Sequence, residues 1–265
     1  MLAMNPFPEI LDNYIKYKND VNRRARYVGN EKYFGASSAN SCFRKQYYKY
    51  NQYEETNFTT DEAYRNMNFG TIFHDDMEKA IAHNSDGITS IDVEMELVVE
   101  ELLVRGFADA VLETEDGKIF LYDFKTAQGF KYTCLFGKRK GEAKYYNDYE
   151  NGNYDKLPYE DWKPKHKKKS YDLQLASYGM AVEKLYGRLD GMFLVFYNKD
   201  TGDMNSYEVA KQTYINRARE YWLRLKESID KGLPKIDMKD SPREQWECKY
   251  CNLADQCELD EEAGK

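Results

Sequence analysis

Two short apolar runs, separated by a few polar residues and a glycine, form the clearest hydrophobic pattern along the chain. The first run covers residues 107–112 and the second covers residues 119–124, with Glu115-Asp116-Gly117-Lys118 between them. Strand-length apolar runs joined by a short loop that contains glycine are typical of a β-hairpin. The sequence therefore predicts two antiparallel strands between Arg105 and Lys125.

The predicted hairpin carries two carboxylates and one ammonium group. Asp109 lies on its first strand, and Asp123 and Lys125 lie on its second strand. Residues two apart on a strand point to the same face, so Asp123 and Lys125 are neighbours. One interpretation is a solvated face with an ordinary ion pair. The other is a site for a hard divalent cation, because Asp123 falls in an apolar segment where a carboxylate needs a partner or a metal.

The rest of the pattern predicts a mixture of helices and strands. Apolar positions recur at helical spacing in four stretches, residues 8–27, 61–82, 172–185 and 212–230. Strand-like runs occupy residues 91–104 and 192–197, and a further strand ends near Val209. In the first run, Glu100 and Glu101 mark the end of the strand or a bulge. Another helix is expected to start near Asn40, with Cys42 in its first turn. Gln174 and Tyr178 are four residues apart and share one helical face.

Composition and charge exclude several classes of protein. The 265 residues carry a formal net charge of -7 and include 24 Tyr and 13 Phe. A net negative charge argues against broad non-specific binding to nucleic acid, so any polyanion site has to be a local basic patch. No apolar run approaches a membrane span, and the first ten residues lack the pattern of a signal peptide. We expect a cytoplasmic protein.

Residues 128–170 have little apolar periodicity and combine basic with aromatic side chains. A long loop of this kind in a compact domain is usually functional or disordered. Basic residues interleaved with aromatic ones suit a single strand of nucleic acid, through phosphate contacts and base stacking. A solvated insertion without a ligand is the alternative. The candidate contacts are Lys138, Arg139, Lys140, Lys165, Lys167 and Lys168.

Three of the five cysteines lie close together near the C-terminal end. Cys248, Cys251 and Cys257 have the spacing C-x2-C-x5-C, whereas Cys42 and Cys134 lie far upstream. In an intracellular protein this spacing favours a metal or cluster site over disulfides. Three thiolates need a fourth ligand, which Cys42, Cys134 or a histidine could supply. A free cysteine such as Cys42 is alternatively a small buried apolar residue.

His74 is the histidine best placed to reach a buried site. It recurs at helical spacing with Met77 and Ile81, which predicts that it faces inward, whereas His83 and His166 have polar surroundings. A lone histidine on an apolar helix face is more often a satisfied core residue than a ligand. Both interpretations stay open at this point.

Taken together, these motifs resemble those of the PD-(D/E)XK nuclease superfamily, in its RecB-like and Cas4-like branch with an iron–sulfur cluster. The matching patterns, in chain order, are Gly70-x3-His74, Gly106-x2-Asp109, Asp123-Phe124-Lys125, Gln174-x3-Tyr178 and one cysteine far upstream of C-x2-C-x5-C. No single motif is specific, but five in the right order make a chance match improbable. Asp123 stands where many Cas4 proteins have Glu, and the insertion is longer than theirs. Both departures favour a phage-type nuclease over a CRISPR one, and a phage-encoded protein would lie in the host cytoplasm.

The resemblance implies an α/β fold with a restriction-endonuclease-like core, in which helices flank a central mixed β-sheet. It implies one nuclease domain over residues 1–265, with the core at about 60–210 and the insertion at 128–170. An iron–sulfur cluster would join the N-terminal helical region, residues 1–59, to the C-terminal tail, residues 235–265.

The resemblance also implies a metal-dependent DNA exonuclease that prefers single-stranded ends and serves DNA processing or recombination. The ligands of Mg²⁺ or Mn²⁺ would be His74, Asp109, Asp123 and the backbone carbonyl of Phe124. The other catalytic residues would be Lys125, Gln174 and Tyr178, with Lys125 acting either on the attacking water or on the developing charge. The alternative from another class is a non-catalytic or partner-dependent DNA-end binding module of a larger complex, as in CRISPR adaptation.

For the cysteines, the resemblance implies a [4Fe-4S] cluster with a structural role. Its ligands would be Cys42, Cys248, Cys251 and Cys257, whereas Cys134 would be a bystander. A zinc ion held by four thiolates is the rival interpretation. DNA is the expected partner and no membrane is expected, whereas a protein partner and an oligomer are both compatible with the sequence.

Overall fold

The computed structural model describes residues 7–26, 32–57, 59–83, 86–136, 169–236 and 245–264. It divides the chain into two compact units. The first, called the terminal unit below, comprises Met1–Phe34, Ser41–Ala80 and Leu223–Lys265. The second, called the sheet unit, comprises Gly35–Asn40 and Ile81–Trp222. The terminal unit therefore combines segments from both ends of the chain, and the expected organisation as one nuclease domain stays a prediction.

A six-stranded mixed β-sheet organises the fold. Its strands are β1 (Phe34–Gly35), β2 (Ile88–Val99), β3 (Val104–Thr114), β4 (Ile119–Ala127), β5 (Gly191–Asn198) and β6 (Met204–Glu208). They lie in the order β1-β3-β4-β5-β6, and β2 pairs with β3 outside this path. β4 and β5 are parallel, whereas β2–β3, β3–β4 and β5–β6 are antiparallel. The predicted mixed sheet is confirmed.

Strands β3 and β4 form the hairpin that the apolar runs predict. Their backbone pairing extends from Glu113 opposite Ile119 to Ala110 opposite Tyr122. The turn is closed by the Gly117 N–H, which donates to the Thr114 carbonyl at 2.8 Å. Gly117 has a φ of 72°, a left-handed conformation that glycine adopts without steric cost.

Within the sheet unit, α4 (Gly129–Phe136) and α5 (Lys169–Tyr186) pack on the sheet, and the helices of the described chain largely follow the predicted spacing. They are α1 (Phe7–Arg26), α2 (Phe43–Tyr50), α3 (Asp61–His83), α4 (Gly129–Phe136), α5 (Lys169–Tyr186), α6 (Lys211–Asp230) and α7 (Ala254–Glu262). The four helices predicted from apolar spacing correspond to α1, α3, α5 and α6, and the helix expected near Asn40 corresponds to α2. Helix α7 lies in the cysteine-rich tail, where acidic residues leave little apolar periodicity to reveal it.

Helix α5 is held in place by apolar burial and by one buried polar link. Leu175 and Ala176 have no exposed surface. The Trp222 indole N–H, on α6, donates to the Ser177 hydroxyl at 2.8 Å, and that hydroxyl donates to the Leu173 carbonyl at 2.7 Å. The link satisfies the indole donor inside the core and fixes the rotation of α5.

The predicted start of the helix near Asn40 is wrong, because a single residue turns the chain there. Helix α2 begins at Phe43, so Cys42 precedes its first turn and is its N-cap, without a side-chain cap hydrogen bond. The reason is Asn40, whose φ of 62° separates α2 from the upstream 3₁₀ turn. The expected strand at residues 91–104 ends at Val99 as β2, where Glu100 and Glu101 predict its end, and Leu103, with a φ of 54°, turns the chain into β3.

Part of the predicted insertion lies outside the described residues. This part includes all six candidate nucleic-acid contacts, Lys138, Arg139, Lys140, Lys165, Lys167 and Lys168. Cys134 belongs to α4, but its side chain is also outside the described part. Their roles stay predictions. In the described part of the chain, no helix is both long and apolar enough to cross a membrane.

Candidate active site and cysteine-lined cavity

Asp109 and Asp123 lie opposite each other where the backbone pairing of the hairpin ends. Each is one position beyond the Ala110–Tyr122 pair, and opposed residues of an antiparallel pair project to the same face. Both are buried, at 8% and 1% exposure. The Asp109 carboxylate accepts a hydrogen bond from the Phe124 N–H, with 2.6 Å between Oδ2 and N. A side chain thus replaces a strand carbonyl as the partner of this N–H, and the two carboxylates stay adjacent.

The Phe124 backbone carbonyl also points toward β3. In a strand, the N–H and C=O of one residue project to the same side. Since the Phe124 N–H bonds to Asp109 on β3, the carbonyl of Phe124 faces that side as well. This is the direction that a ligand to a cation beside Asp109 would need.

Lys125 completes a group that we call the carboxylate–lysine site, defined as Asp109, Asp123 and Lys125. The Lys125 Nζ lies 2.5 Å from Asp123 Oδ2, which confirms the same-face prediction, and the lysine side chain is 13% exposed. Burial by itself lowers the pKa of Lys125, but the charges of Asp123 and Asp109 outweigh it and raise that pKa above its usual 10.5. In the absence of a cation, the two carboxylates therefore favour the ammonium form of Lys125.

Helix α5 brings Gln174 and Tyr178 to this site. The Gln174 amide nitrogen donates to the Tyr178 hydroxyl at 2.9 Å and lies 3.5 Å from Asp123 Oδ1. Tyr178 is only 4% exposed. Burial, and then the charge of Asp123, raise the pKa of Tyr178 far above its ordinary value, so its phenol stays neutral. The structure therefore gathers five of the predicted catalytic residues, whereas their individual roles stay predictions.

Gly106 explains how the two helix residues come so close to the hairpin. A Cβ added at Gly106 would lie 2.6 Å from the Tyr178 ring atom Cε1 and 3.1 Å from its hydroxyl. Only a residue without a side chain permits this approach. The glycine of Gly106-x2-Asp109 therefore makes room for the tyrosine of Gln174-x3-Tyr178.

Tyr171 and Lys131 also lie at the site, although neither belongs to any of the five sequence motifs. The Tyr171 ring centroid is 5.1 Å from the Lys125 Nζ and 4.7 Å from the Lys131 Nζ. Tyr171 precedes Gln174 by three residues on α5, so helical spacing is the signal that could have found it. Lys131 lies on α4, and only the fold brings it to the site.

His74 belongs to the terminal unit, on α3. It is half-buried, and its ring meets that of Phe73 edge-on with 6.3 Å between centroids. Its expected part in metal binding stays a prediction. Within the described residues, no group of three or more His, Cys, Asp or Glu side chains is arranged to hold a metal ion. The two buried carboxylates nevertheless fit Mg²⁺, which typically binds one or two carboxylates and keeps several waters.

In the terminal unit, the four cysteines of the predicted cluster line one cavity of about 360 Å³. Cys42, Cys251 and Cys257 are half-buried and Cys248 is exposed. Burial raises the pKa of Cys257 to about 11, against the opposing effect of the Arg44 guanidinium. Cys42 and Cys251 raise that pKa further, so their sulfur atoms lie near enough to interact with Cys257.

The two ends of the chain also contact each other beside this cavity. The Tyr48 hydroxyl, on α2, donates to the Asp260 carboxylate, on α7, at 3.0 Å. The Asn57 amide donates to the Asp255 carboxylate at 2.9 Å. The Thr56 N–H donates to the Asn252 carbonyl, also at 2.9 Å. Protein contacts alone therefore bring the tail to the N-terminal segment.

Comparison with known proteins agrees with this arrangement. A family model described as PD-(D/E)XK nuclease superfamily matches residues 152–258. This range contains Gln174, Tyr178 and the three C-terminal cysteines, and it begins after the carboxylate–lysine site. The match supports a PD-(D/E)XK nuclease domain.

The fold comparison covers nearly the whole chain. The chain is similar to the crystal structure of SSO0001, with a TM-score of 0.53 and 18% identity, over 92% of this chain and 94% of that chain. At this identity the likeness shows a shared fold. No curated protein matches the sequence. The family match covers less than half of the chain, and the carboxylate–lysine site lies outside the matched range.

Proposed function

We propose that this chain is a metal-dependent nuclease that hydrolyses phosphodiester bonds in DNA. The observation that carries the proposal is the carboxylate–lysine site, where two buried carboxylates meet and the Lys125 Nζ lies 2.5 Å from Asp123 Oδ2. Phosphodiester hydrolysis needs anionic ligands for a cation and a donor for the charge that develops on the phosphate, and this site supplies both. The PD-(D/E)XK match supports the same reaction class.

Asp109, Asp123 and the Phe124 carbonyl would hold the cation, which we propose to be Mg²⁺ or Mn²⁺. When bound, such an ion neutralises phosphate charge and lowers the pKa of an attacking water. The Asp109 carboxylate is oriented by the Phe124 N–H, and Gln174 contributes an amide donor 3.5 Å from Asp123 Oδ1. These neighbours would keep both carboxylates pointed at one place before any ion arrives.

Lys125 would act as a donor to the phosphate, because its Nζ lies beside a carboxylate that would hold the cation. Its pKa is raised because Asp123 and Asp109 stabilise the ammonium more than burial destabilises it. Tyr178 remains a neutral phenol bonded to Gln174, so it would hold the amide in place. Each of these roles requires only a hydrogen bond at a fixed position.

The finer specificity is part of the same proposal. We infer an exonuclease that acts on single-stranded DNA ends, because five ordered motifs resemble those of RecB-like and Cas4-like exonucleases. The alternative is a DNA-end binding module that works only within a larger complex. The buried Lys125–Asp123 pair favours the enzyme, since a binding module has no need of a lysine held beside two buried carboxylates.

We propose a [4Fe-4S] cluster for the cysteine-lined cavity. A single zinc ion draws its four thiolates to about 2.3 Å from one point. Four cysteines line a cavity of about 360 Å³, which leaves room for more than one metal ion. A cavity with thiols on its walls suits a multi-iron cluster better than it suits one ion.

The test of the nuclease is cleavage of end-labelled single- and double-stranded DNA in Mg²⁺, Mn²⁺ or EDTA. Lys125→Met should reduce the cleavage rate by about a hundredfold or more, because it removes a charged donor to the transition state. Lys118→Met is the matched control, since Lys118 is half exposed in the hairpin turn and pairs with Asp116. We expect the wild type and Lys118→Met to shorten the DNA from one end in a metal-dependent way, and Lys125→Met to do so far more slowly. Equal cleavage by both variants would contradict the proposal, and no cleavage by the wild type would favour the binding module.

A further inference from the structure

Lys131 places a second ammonium group beside the carboxylate–lysine site. Its Nζ lies 4.7 Å from the Tyr171 ring centroid and 3.4 Å from the Tyr171 hydroxyl. The Lys125 Nζ lies 5.1 Å from the same centroid. The two ammonium groups therefore cannot be further apart than the sum of these two distances. Such a separation suits two nearby phosphates of one nucleic-acid strand.

The elements that carry Lys131 and Tyr171 are anchored on both sides. Helix α4 begins with the Gly129 N–H donating to the Asp200 carboxylate at 2.7 Å. One turn later, the Tyr132 hydroxyl accepts a hydrogen bond from the Asn205 amide at 2.6 Å. On α5, the Tyr171 ring packs against that of Phe196 with 6.2 Å between centroids. The position of Lys131 relative to Lys125 is thus set by the fold.

The charge around Lys131 points to an anionic ligand. Within the described residues, its ammonium contacts Tyr171 and has no carboxylate partner, whereas Lys125 pairs with Asp123 and Lys118 with Asp116. Two cations near one ring repel each other, and the ring offsets only part of that repulsion. A phosphate bound at Lys131 would remove the conflict with a charge-assisted hydrogen bond.

We propose that Lys131 and the Tyr171 hydroxyl bind a DNA phosphate close to the one that is cleaved. The proposal rests on the proposed nuclease function, which it extends by naming a second contact on the same strand. Lys131 is a positioning residue, because it touches the substrate away from the reacting atoms. It would hold the strand so that the scissile phosphate reaches Lys125 and the two carboxylates. The competing interpretation is that Lys131 only packs α4 against α5.

Binding of a fluorescein-labelled single-stranded DNA of roughly 16 nucleotides tests this inference without depending on cleavage. The measurement is fluorescence anisotropy, in EDTA and in Ca²⁺, at several salt concentrations. Lys131→Met keeps the aliphatic stem and removes the charge. We expect about three- to tenfold weaker binding and a salt slope smaller by about one, as for the loss of one phosphate contact. Lys131→Arg should restore most of the affinity.

The matched control is Lys118→Met, which changes net charge equally but lies in the hairpin turn. Its affinity and salt slope should equal those of the wild type. DNA binding by Lys131→Met that equals that of the control would overturn the proposal. A loss of affinity that Lys131→Arg does not repair would also overturn it, because a lost phosphate contact should be restored by another cation and a packing defect should not. These outcomes are independent of whether the wild type cleaves DNA.

A DNA in which one phosphate is replaced by an uncharged methylphosphonate locates the contact. The replacement is placed in turn at each of the phosphates near the labelled end. In the wild type, one position away from the cleaved bond should weaken binding by about as much as Lys131→Met does. In Lys131→Met, the same replacement should cause no further loss, because the two changes remove the same contact. Additive losses at every position would contradict the subsite.

Discussion

At the scale of single residues, the closest approach in the candidate site is the one between Gly106 and Tyr178. A side chain at position 106 would collide with a buried ring that is already bonded to Gln174. The glycine therefore matters for the space beside it. This contact ties a hairpin motif to a helix motif that lies some seventy residues further along the chain.

Gly106→Ala is expected to destabilise the protein by about 1–3 kcal/mol, the usual cost of overpacking a buried contact. It should also lower the cleavage rate, because Tyr178 and Gln174 must shift. Urea unfolding and the end-labelled cleavage assay measure the two effects. Gly35→Ala is the control, since its Cβ would meet nothing closer than 3.9 Å and its φ is -70°. Equal stability of the two variants would refute the packing argument.

The sequence reveals those site residues whose spacing follows the period of a single strand or helix. Asp123 and Lys125 could be placed on one face because strand periodicity is local. Gln174 and Tyr178 could be placed on one helix face for the same reason. Lys131 could not be found, because its contact with Tyr171 joins two elements 40 residues apart and depends on how α4 and α5 pack.

At the scale of elements, helix α5 joins most of the sheet unit to the site. Its first turn carries Tyr171, its middle carries Gln174 and Tyr178, and its last residue is Tyr186. The Tyr186 hydroxyl donates to the Asp92 carboxylate, on β2, at 2.5 Å. The helix is thus fixed at both ends, which should hold Gln174 and Tyr178 at a constant position relative to the hairpin.

The contact between Tyr186 and Asp92 predicts a pH-dependent stability. Burial, and then the hydrogen bond to Asp92, raise the pKa of Tyr186 to about 12 from 10.0. Because the folded state holds this proton more tightly than the unfolded state, the stabilisation is full below pH 10 and is lost as the pH rises toward 12. The difference in free energy of unfolding between wild type and Tyr186→Phe should therefore shrink over that range. Urea titrations that give a constant difference would contradict the assignment.

The sequence predicts α5 well and the two segments around the cysteines poorly. Apolar residues repeat along α5 because one of its faces packs against the sheet. Helix α7 has few apolar residues, and its contact with α2 is a polar one between Tyr48 and Asp260. Polar contacts between distant segments leave no periodic signal, so the C-terminal helix could be recognised only in the fold.

At the scale of the whole molecule, the cavity in the terminal unit is expected to contain iron. Anaerobically purified protein should show broad visible absorbance with about four iron atoms per chain, as a [4Fe-4S] cluster requires. Cys251→Ser should lower the iron content and the thermal stability, since the cluster links segments from both ends of the chain. The control is Tyr250→Ser, at an exposed residue that lines the same cavity, and this variant should retain the iron.

Metal analysis gives a clear contrary result for the cavity. If the protein is colourless and contains one zinc per chain, the cavity is a four-thiolate zinc site and not a cluster site. Protein without either metal, but with the tail still docked, would show that contacts such as the one between Asn57 and Asp255 suffice. Neither result would change the account of the carboxylate–lysine site, which belongs to the sheet unit.

If Asp109 and Asp123 hold the cation of a nuclease, their removal must weaken metal binding. Electron paramagnetic resonance measures the amount of Mn²⁺ that the protein binds. The wild type should bind Mn²⁺ at a stoichiometric site. Asp109→Asn and Asp123→Asn should each weaken that binding by about tenfold or more. Asp116→Asn, an equal change of charge in the exposed hairpin turn, should bind as the wild type does. If the two site variants also bind Mn²⁺ as tightly as the wild type, these carboxylates are not the metal site and the proposed mechanism is wrong.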